Sequence, residues 1–295
     1  MNAFLSIPVG ARYMMLSAFA FSIMALFVKQ IGLLGIPVLE MVAARSLVSL
    51  LISYIAIKRL GIAVLGKRKG LLFARGLVGF IALNCVFYAL THMPLAEATV
   101  LQYLHPMVTV ILAMLFLKEG ATQGSLICIA LSFVGLLVMV QPPFIFSSST
   151  VEFDNLAVMA AIAGAFGSAI AYTLVRSLNK SEEPLVIILY FPLVSLPISV
   201  VLLWNDFVMP EGMAWLYLLA IGLATQVGQW GLTKSMQTET AGRATSFSYL
   251  QVVFAVVLGF VFYDEVPNLS TLFGAGFIIV AAFINVRWKA KVTTI

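Results

Sequence analysis

The residues with the greatest chemical capacity in this chain stand inside long apolar runs. His105 directly precedes Pro106, and Gln102 lies three residues earlier on the same helix face. Proline removes a backbone donor and frees a carbonyl about one turn back, near Gln102. An imidazole there could bind a solute or carry a proton, because histidine titrates near neutrality. The alternative is a neutral ring hydrogen-bonded to a neighbouring helix. Asn84 with Tyr88, and Gln226 with Trp230, are spaced i, i+4, so each amide shares a face with an aromatic ring; Gln229 adjoins the second pair. Such faces suit a cavity wall for a flat or amphipathic solute. The competing role is interhelical hydrogen bonding, each bond worth roughly 0.6–2 kcal/mol. Tyr103, Tyr249, Tyr172 and Tyr190 are further candidates for that wall, and Arg45 could favour a carboxylate.

The elements that position these residues follow from composition. Hydrophobic residues make up 62% of the 295 residues, charged residues only 10%, and mean hydropathy is +1.08. Ordinary soluble chains are near half apolar and a quarter charged, so lipid is the solvent here. Runs long enough for a hydrocarbon core of about 30 Å occur at 13–32, 37–57, 71–90, 95–117, 122–141, 156–177, 185–204, 213–233, 243–263 and 267–287. The expected class is an all-α integral membrane protein with ten transmembrane helices. The opening segment has no charged region before its apolar stretch and no convincing cleavage site, so the first span reads as a retained helix.

Charge fixes an expected orientation. With the N-terminus cytoplasmic, the inner loops and helix ends hold fourteen of the seventeen Lys and Arg residues, and Lys29, Arg45 and Arg75 fall within spans. No outer loop carries a Lys or Arg, whereas Glu152, Asp154, Asp206 and Glu211 lie outside. This positive-inside pattern calls for both termini in the cytoplasm and a multi-pass protein of a bacterial cytoplasmic (plasma) membrane. The net charge of +5 and pI of 9.2 then reflect topology, not nucleic-acid binding. Cys85 and Cys128 both sit within spans and form neither a disulfide framework nor a metal site.

Arg45 lies about two turns in from the outer end of span two, near 10 Å deep at 1.5 Å per residue. Lys29, Glu40 and Glu97 belong to the same outer half, so the four read either as a gate and anion-attracting funnel or as an interhelical staple. Arg75, one turn inside the cytoplasmic end of span three, is expected to snorkel to the headgroups, as are Arg176, Lys234 and Arg243.

The chain also resembles itself. At an offset of 146 residues, Ala98-Thr99 matches Ala244-Thr245, Tyr103-Leu104 matches Tyr249-Leu250, and His105 falls opposite Gln251. At 147, Val28-Lys29 matches Val175-Arg176, and at 142, Asn84 and Tyr88 fall opposite Gln226 and Trp230. Two repeats, 1–147 and 148–295, each with five spans, must be inverted relative to one another, because an odd count returns the chain to the other face. Inverted repeats are the architecture of alternating access in secondary transporters, with a site near the midplane.

These residues resemble the drug/metabolite transporter superfamily, EamA type, over essentially the whole chain. The resemblance rests on Pro37 with Arg45, on the run Ala96, Ala98, Thr99, Tyr103, Leu104, Pro106 followed by Lys118-Glu119, and on Gly135–Val138. Val252 stands where a second Pro106 is expected by analogy, so the halves are not identical. The resemblance implies export or exchange of an amino-acid-like, nucleoside-like or vitamin-like solute, with no cofactor. Protons are a candidate partner, and the protein is expected as a monomer or homodimer. A membrane enzyme, channel or scaffold is the rival class. The chain holds no H-E-x-x-H, G-x-S-x-G or Walker A motif, and its two histidines, His92 and His105, are thirteen residues apart.

Overall fold

The computed structural model describes residues 7–92, 95–142, 154–264 and 266–288. The described residues are helical throughout their regular parts. The first half contains α1 (Val9–Leu33), α2 (Val38–Arg59), α3 (Lys69–His92), α4 (Leu95–Gln102), α5 (His105–Leu112) and α6 (Gln123–Val140). The second contains α7 (Asn155–Leu178), α8 (Pro184–Leu202), α9 (Ala214–Thr238), α10 (Ala241–Ser246), α11 (Leu250–Tyr263) and α12 (Leu269–Arg287). Only helices satisfy their own backbone polar groups in lipid, which is why the apolar runs adopt them. Caps mark several starts: Thr122, Asp154 and Asn268 accept bonds from the backbone N–H groups of Ser125, Leu156 and Thr271.

Nine spans among the described residues are apolar enough to cross a bilayer by composition alone. The tenth is α9, whose 25 residues reach beyond a hydrocarbon core of about 30 Å. Its hydropathy is lowered by Lys234 and by Thr225, Gln226, Gln229 and Thr233, the last four being polar residues that face protein, not lipid.

Spans four and nine are not the continuous helices expected from hydropathy. The first breaks after Gln102 and restarts at His105, with Pro106 in its first turn; the second passes from α10 through a short 3-10 turn, Phe247–Tyr249, into α11. The breaks correspond, since Tyr103 and Tyr249 are 146 residues apart. Their rings stack at 5.4 Å, and the Tyr249 hydroxyl donates to the Tyr103 carbonyl at 2.9 Å. The two helices also end alike. Lys118 and Asp264, again 146 apart, both take left-handed backbone conformations with φ of 54°.

The second break lacks a proline and is made by hydroxyls. Thr245, Ser246 and Ser248 each donate to a carbonyl three or four residues earlier, at 2.7–2.8 Å. Such back-bonding bends a helix. Val252 in place of proline therefore changes how the bend is built, and the bend itself persists.

Interfaces between the halves come in matched pairs. Span one packs on span eight as span six packs on span three, and span two on span eight as span seven on span three. Spans two and seven pack on each other, as do spans five and ten. At the last crossing a Cβ on Gly135 would stand 2.7 Å from the Gly274 carbonyl oxygen, so only glycine permits this approach. The protein is thus two inverted five-span bundles related by a pseudo-two-fold axis.

Candidate functional site

The two helix breaks meet at an internal cavity of about 20 Å³, which has room for roughly one water molecule. α1 supplies Met14, Ser17, Ala18 and Phe21 to its wall, and α9 supplies Leu232. His105, Tyr172, Ser248 and Gln251 complete it, so both halves and both breaks contribute. Ser17 and Ser22 fix α1 by donating to the Gly228 and Gln251 carbonyls at 2.7 and 2.9 Å.

His105 is 5% exposed. Its Nδ1 lies 3.0 Å from the Gln102 carbonyl oxygen, the carbonyl that the break releases. That contact assigns the proton to Nδ1, which leaves Nε2 as the lone-pair nitrogen. Nε2 is buried and has no hydrogen-bond partner among the described residues, as is true of the Gln102 Oε1. The Tyr172 ring meets the imidazole edge-on at 5.2 Å, and Gln102 Nε2 donates to Ser168 at 3.4 Å. Ser168 and Tyr172 are one turn apart on α7, so this helix receives both polar groups of the break.

Two buried arginines stand outside the cavity wall, and Arg75 lies within electrostatic reach of Tyr172. Arg45 and Arg75 are 6% and 4% exposed, and their guanidinium carbons stand 5.2 and 5.5 Å from the centre of the Phe191 ring. Arg75 Nη2 donates to Gln229 Oε1 at 3.0 Å, while its Nε and Nη1 find no partner among the described residues. Arg45 Nη1 reaches the Met24 sulfur at 4.0 Å, and its Nε is likewise unpartnered among the described residues.

The end of the molecule richest in Lys and Arg is built differently. Glu119, just past the first broken helix, accepts from Arg176 Nε at 2.6 Å and from the Ala241 backbone N–H at 2.9 Å. Arg176 also donates to the Met236 carbonyl at 2.8 Å. Glu182 accepts from the Lys67 and Arg68 backbone N–H groups at 2.8 and 2.5 Å. Each half thus supplies a carboxylate that holds a loop of the other. Arg243 pairs with Glu239 at 3.3 Å and donates to the Asn285 carbonyl at 3.2 Å. Asn285 Nδ2 donates to Ser246 Oγ at 2.5 Å. Burial pushes the Glu239 carboxyl above the usual carboxylate range, against the pull of Arg243 and Arg176.

The chain has counterparts among known proteins. The model of the EamA-like transporter family matches twice, at residues 8–141 and 155–287. This chain belongs to the EamA-like transporter family. It is 32% identical over 281 residues to the pseudopaline exporter CntI of Pseudomonas aeruginosa, covering 95% of this chain and 96% of that one. Solute carrier family 35 member G1 of Mus musculus is 32% identical over 283 residues, covering 92% of this chain and 76% of its own. A crystal structure of a protein at 19% identity superposes with a TM-score of 0.81 over 93% of this chain and 95% of its own, which shows the shared fold. The EamA-like chain is a multi-pass membrane transporter of a small metabolite.

Among the residues singled out from sequence, His105, Gln102, Tyr103, Tyr249 and Gln251 gather at the breaks, and Gln229 meets Arg75. Five others do not line the cavity. Gln226 accepts from Ser49 at 2.5 Å and donates to Ser53 at 2.9 Å, stapling α9 to α2. Trp230 meets Tyr13 edge-on at 5.2 Å. Asn84 donates to the Phe80 carbonyl of its own helix, and Tyr88 stacks on His92 at 3.9 Å. Tyr190 donates to the Leu65 carbonyl at 2.8 Å.

In the outer set, Glu40 and Arg45 take different partners. Glu40 Oε2 accepts from the Val208 backbone N–H at 3.1 Å, away from Arg45, which turns to Phe191. Five residues of spacing put the two on different helix faces. Lys29 is exposed, and the Glu97 side chain lies outside the described residues. Arg75 does not snorkel, because Gln229 and Phe191 take its head group inward. Arg176 and Arg243 are likewise drawn into bonds with protein groups. Met14, Ser17, Phe21, Leu232 and Ser248 carried no sequence signal, since apolar and hydroxyl residues are ordinary on membrane helices.

Proposed function

We infer that the protein exports a small organic solute across a bacterial cytoplasmic membrane by alternating access, with its solute pocket at the two helix breaks. The observation that carries this reading is the pairing of Tyr103 and Tyr249, where both broken helices expose polar groups to one cavity. Broken helices at such a depth are tolerated where they line a site. His105, Gln102, Tyr172 and Gln251 contact the solute, with His105 Nε2 accepting a hydrogen bond from it. The basic end faces the cytoplasm under the positive-inside rule, so the bonds made by Glu119 and Glu182 describe a state closed to that side. A 20 Å³ cavity requires the halves to rock apart before a solute enters. Coupling is by proton exchange or facilitated diffusion, and the protein acts as a monomer or homodimer without catalysing a reaction. The exporter named among its relatives supports the outward direction.

The test is saturable transport in proteoliposomes screened with labelled amino acids, nucleosides, vitamins and organic acids. His105→Ala should abolish it while the purified protein keeps its fold. Normal transport by that variant removes the pocket from this position.

A further inference from the structure

The geometry points to an organic anion carrying two carboxylates as the transported solute, held between Arg45 and Arg75. This rests on the reading above and narrows it to a chemical class. Both guanidiniums are almost fully buried within membrane spans, at 6% and 4% exposed. Their positions over one Phe191 ring place them no further apart than the sum of 5.2 and 5.5 Å. Among the described side chains no carboxylate pairs with either; the ion pairs present are Arg176 with Glu119 and Arg243 with Glu239. Arginine keeps its charge at any working pH, so two like charges face each other in a region where each normally demands a counter-charge. Three guanidinium N–H positions, Arg45 Nε and Arg75 Nε and Nη1, are buried without an acceptor among the described residues. The aromatic ring and one amide oxygen, Gln229 Oε1, attract the cations but do not neutralise them.

A monocarboxylate would leave one charge uncompensated, whereas a dicarboxylate offsets both and supplies acceptors for every orphaned N–H. Carboxylates also match the planar guanidinium fork with two parallel N–H···O bonds. Tyr172 connects Arg75 to the cavity, since it lies within electrostatic reach of Arg75, forms part of the wall and meets His105 edge-on.

The experiment uses purified full-length protein and a series from malonate through succinate and glutarate to adipate, each against its monoamide and diamide. At least one dicarboxylate should raise the thermal midpoint and be transported saturably into proteoliposomes. Its monoamide should bind at least about tenfold more weakly, one lost charge contact being worth that much, and its diamide should give no response. Arg45→Gln and Arg75→Gln should each abolish the dicarboxylate response yet raise the midpoint of the solute-free protein, because an unpaired buried charge has gone. Arg75→Lys, which keeps the charge, should retain a weakened response. A lowered solute-free midpoint in both glutamine variants would assign the arginines to the scaffold and overturn the inference. Stabilisation and transport of neutral or zwitterionic solutes with none for dicarboxylates would overturn it while leaving transport intact. Failure of every solute class would sink both readings.

Discussion

The basic end and the interior of the membrane spans hold similar polar groups in different states of pairing. At the basic end Glu119, Glu182, Arg176 and Arg243 are each matched to an ion partner or a backbone group of the other half or a neighbouring span, with the Arg243 Nε left over. Within the spans His105 Nε2, Gln102 Oε1 and three arginine N–H positions have no partner among the described residues. Satisfied buried networks fix a shape, and half-satisfied ones are high in free energy until something completes them. The contrast divides labour: one region holds the two bundles together, and the other is reserved for what passes between them.

The largest effect is expected where the basic end is broken. Glu119→Ala leaves Arg176 without its counter-charge and the Ala241 N–H without its acceptor, a change of about 3 kcal/mol, or on the order of a hundredfold in the closed population. A cysteine placed at Ser248, in a background lacking Cys85 and Cys128, should then react much faster with an impermeant thiol reagent added at the basic face. Unchanged labelling would erase the distinction between the regions.

Next in size is Asn285→Ala, which removes the donor to Ser246 Oγ and the acceptor 3.5 Å from Ser125. A loss of about 1–2 kcal/mol should lower the thermal midpoint by a few degrees. A neutral result would mean the second break stands without its prop.

The smallest effect is a pH dependence at Glu239. Its carboxyl is raised by burial, so the packed protein binds that proton more readily than the opened chain. The resulting stabilisation is present below the ordinary value of 4.5 and fades as pH rises through the raised one. Acidification should therefore favour the closed basic end, and Glu239→Gln should flatten that dependence in thermal midpoints measured against pH. A reversed slope in the native protein would show Arg243 dominating over burial.

Much of the architecture was legible because lipid imposes simple rules. Apolar length counted the spans, and the 146-residue offset between His105 and Gln251 or Tyr103 and Tyr249 exposed the repeat. What failed was azimuth. Position along α3 gives the depth of Arg75 but not which way it turns, and Phe191, which draws it inward, lies 116 residues later. Gln226 shows the same limit: an amide on a helix face reads as a cavity wall until the neighbour proves to carry Ser49 and Ser53. The second break escaped notice because serine and threonine bend helices only in a particular context, whereas Pro106 announces itself.

That difference between the breaks bears on movement. A ring closed covalently around the backbone cannot relax, so the elbow at Pro106 keeps its angle through a transport cycle. The elbow at Thr245–Ser248 is held by hydroxyls that can exchange one carbonyl for another, and it can straighten and fold again. The expected motion is then of a stiff elbow in the first half and a yielding one in the second, and backbone amides near 247 should exchange with solvent deuterium sooner than those near 103.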